Sequence, residues 1–230
     1  MTLLNDEALE RSSIVANMRM NRERGAVGVN SYAKDIGLDP IAFLMDRLQQ
    51  TGAASWLDLC CGRGRALFHA AEYLHSRDLR DKVRLVGVDL VDMFDNAPPG
   101  ITPPILEARS LHCWEASGPF DLITCVHGLH YIGDKLLLIE RAVSWLSPEG
   151  TLLANLDLMN LRASDGSPLG RQIAKRFREA GMIFDGRRHL LSCVGGKSIS
   201  LGYRYLGADD TAGANYSGQE AVDSYYEVIR

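Results

Sequence analysis

Apolar segments of two kinds alternate along the chain from residue 55 onward, and this alternation constrains the fold most. Short apolar runs of strand length are separated by longer segments whose apolar residues recur at helical spacing. The pattern predicts a parallel sheet with helices on both faces. The predicted strands are SWLDLCC (55–61), VRLVGVDL (83–90), PFDLITCVHG (119–128) and GTLLANLDL (150–158). The predicted helices are RALFHAAEYLHS (65–76), DKLLLIERAVSWL (134–146) and GRQIAKRFREAG (170–181).

Two segments depart from this alternation. Four prolines stand in segment 95–105, where a crossover helix is expected. Because proline excludes a regular helix, this segment is predicted to be a short helical turn plus a loop. Near the C-terminus, the strand-like segments 189–194 and 198–207 are joined by the glycine-rich turn 195–197. This arrangement predicts an antiparallel hairpin at one edge of the sheet.

The residues before the first strand are predicted to be helical. Apolar residues at roughly helical spacing predict one helix over residues 3–24, which Gly25 ends. A second helix is predicted to begin with Asp39 as its N-cap and Pro40 in its first turn. That helix is expected to stop near Gly52.

Length and composition limit the class of protein. A chain of 230 residues with 46% hydrophobic residues fits one substantial domain, with or without a small appendage. The net charge of −4, with both signs scattered, argues against a nucleic-acid partner. An early acidic N-terminus and the lack of long apolar stretches predict neither a secretory signal nor a membrane span. The odd number of cysteines, five, predicts free thiols in a reducing cytoplasm.

A glycine turn follows the first predicted strand directly. The stretch WLDLCCGRGRAL (56–67) places Gly62 and Gly64 at the carboxyl end of that strand, where open parallel sheets bind ligands. Glycine lets the backbone pass close to a ligand and adopt unusual dihedral angles. Asp89 ends the next strand, and a carboxylate there can accept hydrogen bonds from both hydroxyls of a ribose. The ligand is therefore expected to contain an adenosine-like ribose.

Two adenosine-bearing cofactors compete for this turn. The dinucleotide fingerprint needs a third glycine, but Leu67 stands at that position. Asp58 lies near the end of the strand, where a carboxylate would repel a pyrophosphate and attract a cationic, amine-bearing cofactor. This favours a sulfonium amino-acid cofactor, and an NAD oxidoreductase stays as an alternative.

Four motifs resemble those of class I S-adenosylmethionine-dependent methyltransferases. LDLCCGRGR (57–65) resembles their first motif, and GVDL (87–90) resembles their second. FDLITCVHGLHYIGD (120–134) resembles the fourth, in the style of the quinone-biosynthesis and small-molecule branches. LSPEGTLLAN (146–155) resembles the motif that follows. The motifs stand in the family's order at suitable spacing, and the resemblance covers roughly residues 30–205.

The resemblance implies an α/β, Rossmann-like fold. Its seven-stranded sheet is mostly parallel, with helices on both faces and a C-terminal antiparallel hairpin. The resemblance implies an N-terminal helical lid segment (1–52) and a cofactor-binding core (53–208). The C-terminal loop and short helix (209–230) are unusual for the family core, and their polar, glycine-containing sequence makes them a candidate cap over the substrate, with a solvated loop as the alternative.

The resemblance also implies contacts to the methionine half of the cofactor. Asp58, Gly62 and Gly64 would line that half. Tyr32 lies in the lid segment, where an aromatic hydroxyl often meets the cofactor carboxylate in this family; plain packing is the alternative. Cys60 stands where the family most often has glycine, and it is interpreted as a small residue packed under the ligand.

Contacts to the adenosine half follow from the second and third motifs. Asp89 would bind the ribose, and Leu90 would flank the adenine. The acid of the family's third motif has no obvious counterpart here, so the backbone amides of Ser110 and Leu111 are expected to serve instead. The full set of expected cofactor contacts is Tyr32, Asp58, Cys60, Gly62, Gly64, Asp89, Leu90, Ser110, Leu111 and Cys125.

Methyl transfer requires that the acceptor be positioned and water excluded, and a base helps when the acceptor is a hydroxyl or ammonium group. His127 and His130 follow the strand of the fourth motif and are the candidate catalytic residues, with a structural role as the alternative for each. The candidate substrate contacts are Tyr131 and, in the polar loop after the last predicted strand, Asp209, Asn215 and Tyr216.

The leading interpretation is methyl transfer from S-adenosylmethionine to oxygen or nitrogen of a small-molecule acceptor in the cytoplasm. The alternative is a module that binds the cofactor without transferring its methyl group. No metal is expected, because Asp157 ends its predicted strand without an obvious carboxylate partner. The expected partners are a small-molecule substrate and, as an open option, a second copy of the chain; neither nucleic acid nor a membrane is expected.

Overall fold

The computed structural model describes residues 3–17 and 24–229, which form a seven-stranded sheet, a three-stranded sheet and the helices around them. The strands are β1 (Ala54–Leu59), β2 (Val83–Asp89), β3 (Ile105–Ala108), β4 (Phe120–Cys125), β5 (Leu146–Asn155), β6 (Leu161–Ala163), β7 (Ile183–Asp185), β8 (Leu190–Val194), β9 (Tyr203–Asp209) and β10 (Asp223–Val228). The α-helices are α1 (Asp6–Glu10), α2 (Ser13–Asn17), α3 (Tyr32–Ile36), α4 (Pro40–Thr51), α5 (Arg65–His75), α6 (Lys135–Ser144) and α7 (Gly170–Glu179). Short 3₁₀ turns span Arg80–Lys82, Gly128–Tyr131 and Leu158–Asn160.

The large sheet confirms the predicted α/β fold class. Its order is β3-β2-β1-β4-β5-β8-β7, and strands β1 to β5 pair in parallel. Strand β8 runs antiparallel to both of its neighbours, β5 and β7. Helices α4 and α5 cover one face, where Leu44 and Leu67 pack with Trp56. Helices α6 and α7 cover the other face, where Ile139 and Phe177 are buried in the main core.

The caps of α4 confirm the sequence signals for its ends. The Oδ1 atom of Asp39 accepts hydrogen bonds from the backbone N–H groups of Ile41 and Ala42, at 2.9 and 3.2 Å. At the other end Gly52 adopts the left-handed conformation, with φ of 78°. This helix leads directly into β1, so its capped ends help to place the start of the sheet.

The antiparallel hairpin forms at the sheet edge, but its predicted turn at 195–197 is wrong. The hairpin joins β7 to β8, and the chain after β8 leaves this sheet. A Cβ atom on Gly196 would lie 1.9 Å from the carbonyl oxygen of Leu146, so this glycine allows close approach to the start of β5. The N–H groups of Gly195 and Gly196 donate to backbone carbonyls of that strand. These glycines therefore allow the backbone to pack closely against β5, and they do not form the turn of a hairpin.

The single N-terminal helix predicted over residues 3–24 is also wrong in its described part. The chain forms the short helices α1 and α2, which are separated at Arg11 and Ser12; residues 18–23 lie outside the described residues. Serine competes for backbone hydrogen bonds and favours helix ends. Leu4 forms a two-way backbone bridge with Ala208 of β9, which fixes the start of the chain on the small sheet.

The proline-rich crossover contains no regular helix, as predicted, but the expected helical turn is absent from its described residues. Segment 95–105 is an extended loop whose one backbone turn closes from Ile101 N–H to the carbonyl of Pro98. Proline has no N–H group to donate and resists the helical conformation at the preceding residue. The chain therefore crosses from β2 to β3 as a loop.

The short C-terminal helix predicted within 209–230 is wrong, because this part ends in strand β10. Strand β10 pairs antiparallel with β9 and parallel with β6. Ser224 and Tyr226 are fully buried and alternate with the half-buried Tyr225, which is the period of a strand. The two tyrosines also favour β structure.

Candidate active site

A cavity lies at the carboxyl ends of β1, β2 and β4. Helix α1 forms one wall, with Asp6, Leu9 and Glu10 facing the cavity, and α6 forms another. This is the edge where ligands bind in open parallel sheets. The expected site residues that line it are Cys60, Gly62, Asp89, Leu90, Leu111, His127 and Tyr131.

The glycine turn after β1 has the backbone conformation that its sequence requires. Cys60, Gly62 and Gly64 all have positive φ, at 56°, 59° and 75°. The N–H of Gly64 donates to the carbonyl of Cys61, and α5 begins at the next residue. A cysteine in the left-handed region costs conformational energy, so other contacts must hold the residue in this conformation. The turn thus carries strain beside the cavity.

Cys60 is held by the neighbouring turn after β4. A Cβ atom on Gly128 would lie 2.7 Å from the Cys60 sulfur and 3.0 Å from the Cys125 sulfur, so the two turns pack closely. The contact with Cys125, together with burial, raises the pKa of Cys60 well above its usual value. Cys125 itself is buried beneath the cavity, and all five cysteines are free. The Cys60 thiol is therefore protonated in the turn.

Asp89 joins the ends of β1 and β2. Its Oδ2 atom accepts a hydrogen bond from the N–H of Gly62 at 2.8 Å, and its Oδ1 atom accepts one from Val91 at 3.2 Å. The side chain lines the cavity, as do the apolar residues Leu90 and Leu111. A carboxylate and two leucines in one cavity suit a ribose attached to a flat, apolar-faced base.

Ser110 lies behind the cavity wall and binds helix α1 through its side chain. Its hydroxyl donates to Glu10 Oε1 at 2.5 Å and accepts from the N–H of His112 at 3.1 Å. His112 Nδ1 lies 2.9 Å from Asp6 Oδ2. These contacts hold the acidic face of α1 against the loop after β3, a relationship that the sequence analysis missed.

Asp58 is fully buried beneath the cavity and does not line it. Its carboxylate accepts hydrogen bonds from the hydroxyls of Tyr32, at 2.8 Å, and Thr124, at 2.6 Å. Burial raises the pKa of Asp58 to about 7, against the opposing effect of these two hydrogen bonds. Burial beside Asp58 also raises the pKa of Tyr32 well above 10. Tyr32 therefore meets Asp58 directly.

His127 follows β4 in a left-handed conformation, with φ of 57°. Its backbone N–H donates to Asn155 Oδ1 at 3.3 Å, and the ring atom Nε2 lies 3.6 Å from Asp35 Oδ2. Asp35 also accepts a hydrogen bond from Arg24. Burial acts to raise the pKa of Asp35, but contacts with His127 and Arg24 prevail and hold it below its usual value. His127 and Asp35 thus form an imidazole–carboxylate pair at the cavity wall.

His130 is fully buried one 3₁₀ turn further along. Burial lowers the pKa of His130 to about 3, and the nearby His127 adds to this effect. Neither ring nitrogen of His130 has a hydrogen-bond partner among the described residues. Its carbonyl accepts from the N–H of Val222, which ties the turn to the segment before β10. His130 is therefore a neutral imidazole.

Tyr216, in the loop between β9 and β10, covers the histidines. Its ring stacks on His189, with centroids 3.7 Å apart and planes 6° apart, and lies 5.5 Å from His130 and 6.5 Å from His127. The N–H of Tyr216 donates to Asp157 Oδ2 at 3.1 Å. The loop thus carries an aromatic ring to the carboxyl edge of the large sheet.

The other residues expected to contact the substrate make hydrogen bonds that stabilise loops. Asp209 is buried at the end of β9 and accepts hydrogen bonds from the N–H and hydroxyl of Thr211. The side-chain oxygen of Asn215 accepts from the N–H and hydroxyl of Ser217. The hydroxyl of Tyr131 bonds to Gln219 at 3.2 Å. Of the three, Tyr131 lines the cofactor cavity.

The residues that sequence reasoning missed come from distant parts of the chain. Asp35 follows Tyr32 by three residues, so the two share one face of α3, and this spacing was the available signal. Glu10 and His189 reach the site only through tertiary packing, and no sequence pattern marks them. Gly64 lies in the turn just outside the cavity lining. The described residues hold no group of three or more His, Cys, Asp or Glu side chains that could bind a metal ion.

The model of a methyltransferase domain family matches residues 30–199, which is more than half of the chain. The chain belongs to this methyltransferase family. The expected class, an S-adenosylmethionine-dependent methyltransferase, is confirmed, and S-adenosylmethionine is its cofactor. The finer assignment to a quinone-biosynthesis-like branch stays a prediction. A comparison with curated proteins found no match.

Several solved structures are similar to the chain at low identity. Magnesium protoporphyrin IX methyltransferase from Synechocystis PCC 6803 is 15% identical with a TM-score of 0.49, over 85% of this chain and 99% of that chain. The amino pentose methyltransferase CalS10 from Micromonospora echinaspora is 22% identical with a TM-score of 0.38, over 51% and 49%. Coclaurine N-methyltransferase is 16% identical with a TM-score of 0.44, over 67% and 48%. The chain spans about half the length of the last two proteins.

Proposed function

We propose that this protein transfers a methyl group from S-adenosylmethionine to an oxygen or nitrogen atom of a small-molecule acceptor held beside His127. The observation that carries this proposal is the position of His127. Its imidazole lines the cavity that Gly62 and Asp89 also line, and it contacts the carboxylate of Asp35. The His127 imidazole therefore faces the cofactor cavity and also contacts a carboxylate that would support its action as a base.

The residues of the cavity fit the adenosine half of this cofactor. The Asp89 carboxylate would accept the ribose hydroxyls, and Leu90 and Leu111 would enclose the adenine. Gly62, with a left-handed backbone conformation, would let the chain pass close to the cofactor.

The buried pair of Tyr32 and Asp58 would act at the amino-acid half. Asp58 lies under the turn and not at its surface, so we propose that it acts through Tyr32 and the turn. A negative charge beneath the turn would favour the cofactor's ammonium group. When bound, S-adenosylmethionine supplies a methyl carbon whose bond to sulfur breaks, with its electron pair leaving to sulfur, as the acceptor's lone pair attacks.

His127 is the proposed base. It would take the proton of the acceptor hydroxyl or ammonium group, and Asp35 would orient the ring and stabilise the imidazolium. His130 does not suit this role, because its pKa of about 3 makes it a weak base. We propose instead that its neutral ring donates and accepts hydrogen bonds to the acceptor.

The test is release of S-adenosylhomocysteine from the purified protein with S-adenosylmethionine and a panel of phenols, alcohols and amines. His127→Gln should lower kcat at least a hundredfold with at least one acceptor and leave the Kd for S-adenosylhomocysteine within threefold. His75→Gln, at the far end of α5, is the matched control. Asp35→Asn should lower kcat less, because the base is kept and only the charge that stabilises the imidazolium is lost.

Two results would contradict the proposal. An unchanged kcat in His127→Gln would remove His127 as the base. Cofactor binding without turnover across the whole panel would favour a binding module.

A small-molecule acceptor, a cytoplasmic location, the absence of a nucleic-acid partner and a homodimer all stay predictions. Within residues 3–17 and 24–229, no helix has the length and apolarity to cross a membrane.

A further inference from the structure

Four aromatic rings meet at the carboxyl edge of the large sheet, next to the cofactor cavity. They belong to His127 and His130 after β4, His189 before β8, and Tyr216 in the loop before β10. Because β8 runs antiparallel to β5, its first residue lies at the same edge as the last residue of β5. This places His189, which no sequence motif marks, in the same cluster as the proposed base.

Five of the six ring nitrogens of these histidines are buried and make no hydrogen bond among the described residues, although Nε2 of His127 lies 3.6 Å from Asp35 Oδ2. Both nitrogens of His127 and of His130, and Nδ1 of His189, lack a hydrogen-bond partner among the described residues. His127 is 7% exposed, and His130 is fully buried. Because a buried polar atom without a partner destabilises the protein, such a group of nitrogens suits a polar ligand.

The ring of Tyr216 fills a flat slot against His189. Their planes are nearly parallel with 3.7 Å between centroids, so the slot is the volume of the Tyr216 ring on one face of His189, and the rings of Tyr216 and His130 meet edge to face. Tyr216 is 39% exposed, so the slot is reached from solvent. Its loop carries Gly213 and Gly218, both with positive φ and both with open space around them. Displacement of the Tyr216 ring would therefore meet no packed neighbour at these two glycines.

We infer that the methyl acceptor is a flat aromatic or heteroaromatic compound bearing a hydroxyl or amine group, and that its ring takes the place of Tyr216 against His189. This inference rests on the proposed function and names the acceptor class for the same site. Stacking supplies affinity for a planar ring, and the unpaired imidazole nitrogens hydrogen-bond its polar substituents. The substituent to be methylated then lies on the side of His127.

The experiment measures binding to the full-length protein saturated with S-adenosylhomocysteine. Isothermal calorimetry is performed with hydroxyquinoline, naphthol and hydroxypyridine, each beside its fully saturated counterpart. At least one planar compound should bind tenfold or more tightly than its saturated counterpart. If none binds, or if saturated compounds bind equally well, the inference is overturned.

Variants of His189 and Tyr216 test whether His189 forms the binding face and whether the Tyr216 ring is displaced from it. His189→Leu should weaken planar binding at least tenfold, whereas His189→Phe, which restores a flat face, should retain it within threefold. Tyr216→Leu should tighten planar binding, because it empties the slot. Weaker binding in Tyr216→Leu would make Tyr216 part of the wall and overturn the displacement. His75→Leu is the control for loss of an imidazole elsewhere.

Turnover with the same compounds keeps the two proposals apart. A planar compound that binds in this slot without releasing S-adenosylhomocysteine supports the acceptor site and counts against transfer. Methylation of saturated and planar compounds with equal KM supports transfer and overturns the planar slot. Circular dichroism of each variant confirms that a loss of binding does not reflect unfolding.

Discussion

The hydroxyl of Tyr32 donates a hydrogen bond of 2.8 Å to the carboxylate of Asp58, and both residues are buried. The contact joins α3, which precedes the sheet, to the end of β1 beneath the glycine turn. Tyr32 also packs edge-on against Trp56, with ring centroids 6.0 Å apart. A change at one residue of this pair therefore reaches both the stability of the sheet edge and the cofactor turn.

We expect Tyr32→Phe to destabilise the protein by about 1–3 kcal/mol, because it leaves a buried carboxylate oxygen without its donor. Because the ring contact with Trp56 is kept, the loss of stability measures the contribution of the Tyr32 hydroxyl. Urea unfolding at pH 7 measures the difference. Tyr73→Phe, on α5, is the control. An unchanged free energy of unfolding in Tyr32→Phe would show that the bond contributes nothing.

Asp58→Asn tests the raised pKa of Asp58. The folded-state pKa of about 7 lies above the unfolded value of 3.8, so the folded state holds more protons between these values. The contribution of Asp58 to stability therefore falls as pH rises through this window, by about 2 kcal/mol from pH 5 to pH 7. Asparagine resembles the protonated acid and should remove this fall.

The measurement is the difference in free energy of unfolding between Asp58→Asn and the natural protein at pH 5 and pH 7. The exposed Asp46→Asn on α4 serves as the control. Parallel pH profiles for Asp58→Asn and the natural protein would contradict a raised pKa.

Glu10→Gln tests whether α1 supplies the acid that the third motif lacks. Glu10 lines the cavity and binds Ser110, and we expect its carboxylate to accept a hydrogen bond from the adenine amine. Glutamine keeps the length of the side chain but loses its charge. The Kd for S-adenosylhomocysteine should rise roughly 3–10-fold. Glu7→Gln, on the exposed face of α1, should bind normally, and an equal change in both variants would sink the assignment.

Lys135 is fully buried, and its ammonium group donates to the carbonyls of Ile132 and Val222 and to the hydroxyl of Ser224. Burial lowers the pKa of Lys135 to about 7, below the unfolded value of 10.5. The unfolded state therefore binds more protons between these values, and the stability contributed by this group rises with pH. From pH 7 to pH 9 the natural protein should gain about 2 kcal/mol relative to Lys135→Met.

Thermal and urea unfolding of the Lys135→Met variant at both pH values provide the check. The exposed Lys175→Met on α7 is the control. A constant difference in stability between the natural protein and Lys135→Met would contradict the lowered pKa.

Sequence patterns predict the parallel part of the sheet well, because strands buried on both faces form continuous apolar runs. Strand β1, for example, is buried at every position. They also predict the positions of Gly62 and Asp89 at the carboxyl ends of β1 and β2, where both residues line the cavity. Patterns fail for β10, whose buried face is defined by residues far along the chain, including Lys135. His189 is missed for the same reason, because its role depends on the reversed direction of β8.

The C-terminal end of strand β9 makes two contacts that bear on the site. The bridge between Leu4 and Ala208 fastens the chain that leads into the cavity wall of α1, and Asp209 organises the first turn of the loop that bears Tyr216. The cavity wall of α1 and the loop of Tyr216 are thus attached to neighbouring residues of one strand. We expect movements of these two parts to be coupled, and initial-rate kinetics should then show a compulsory order of binding.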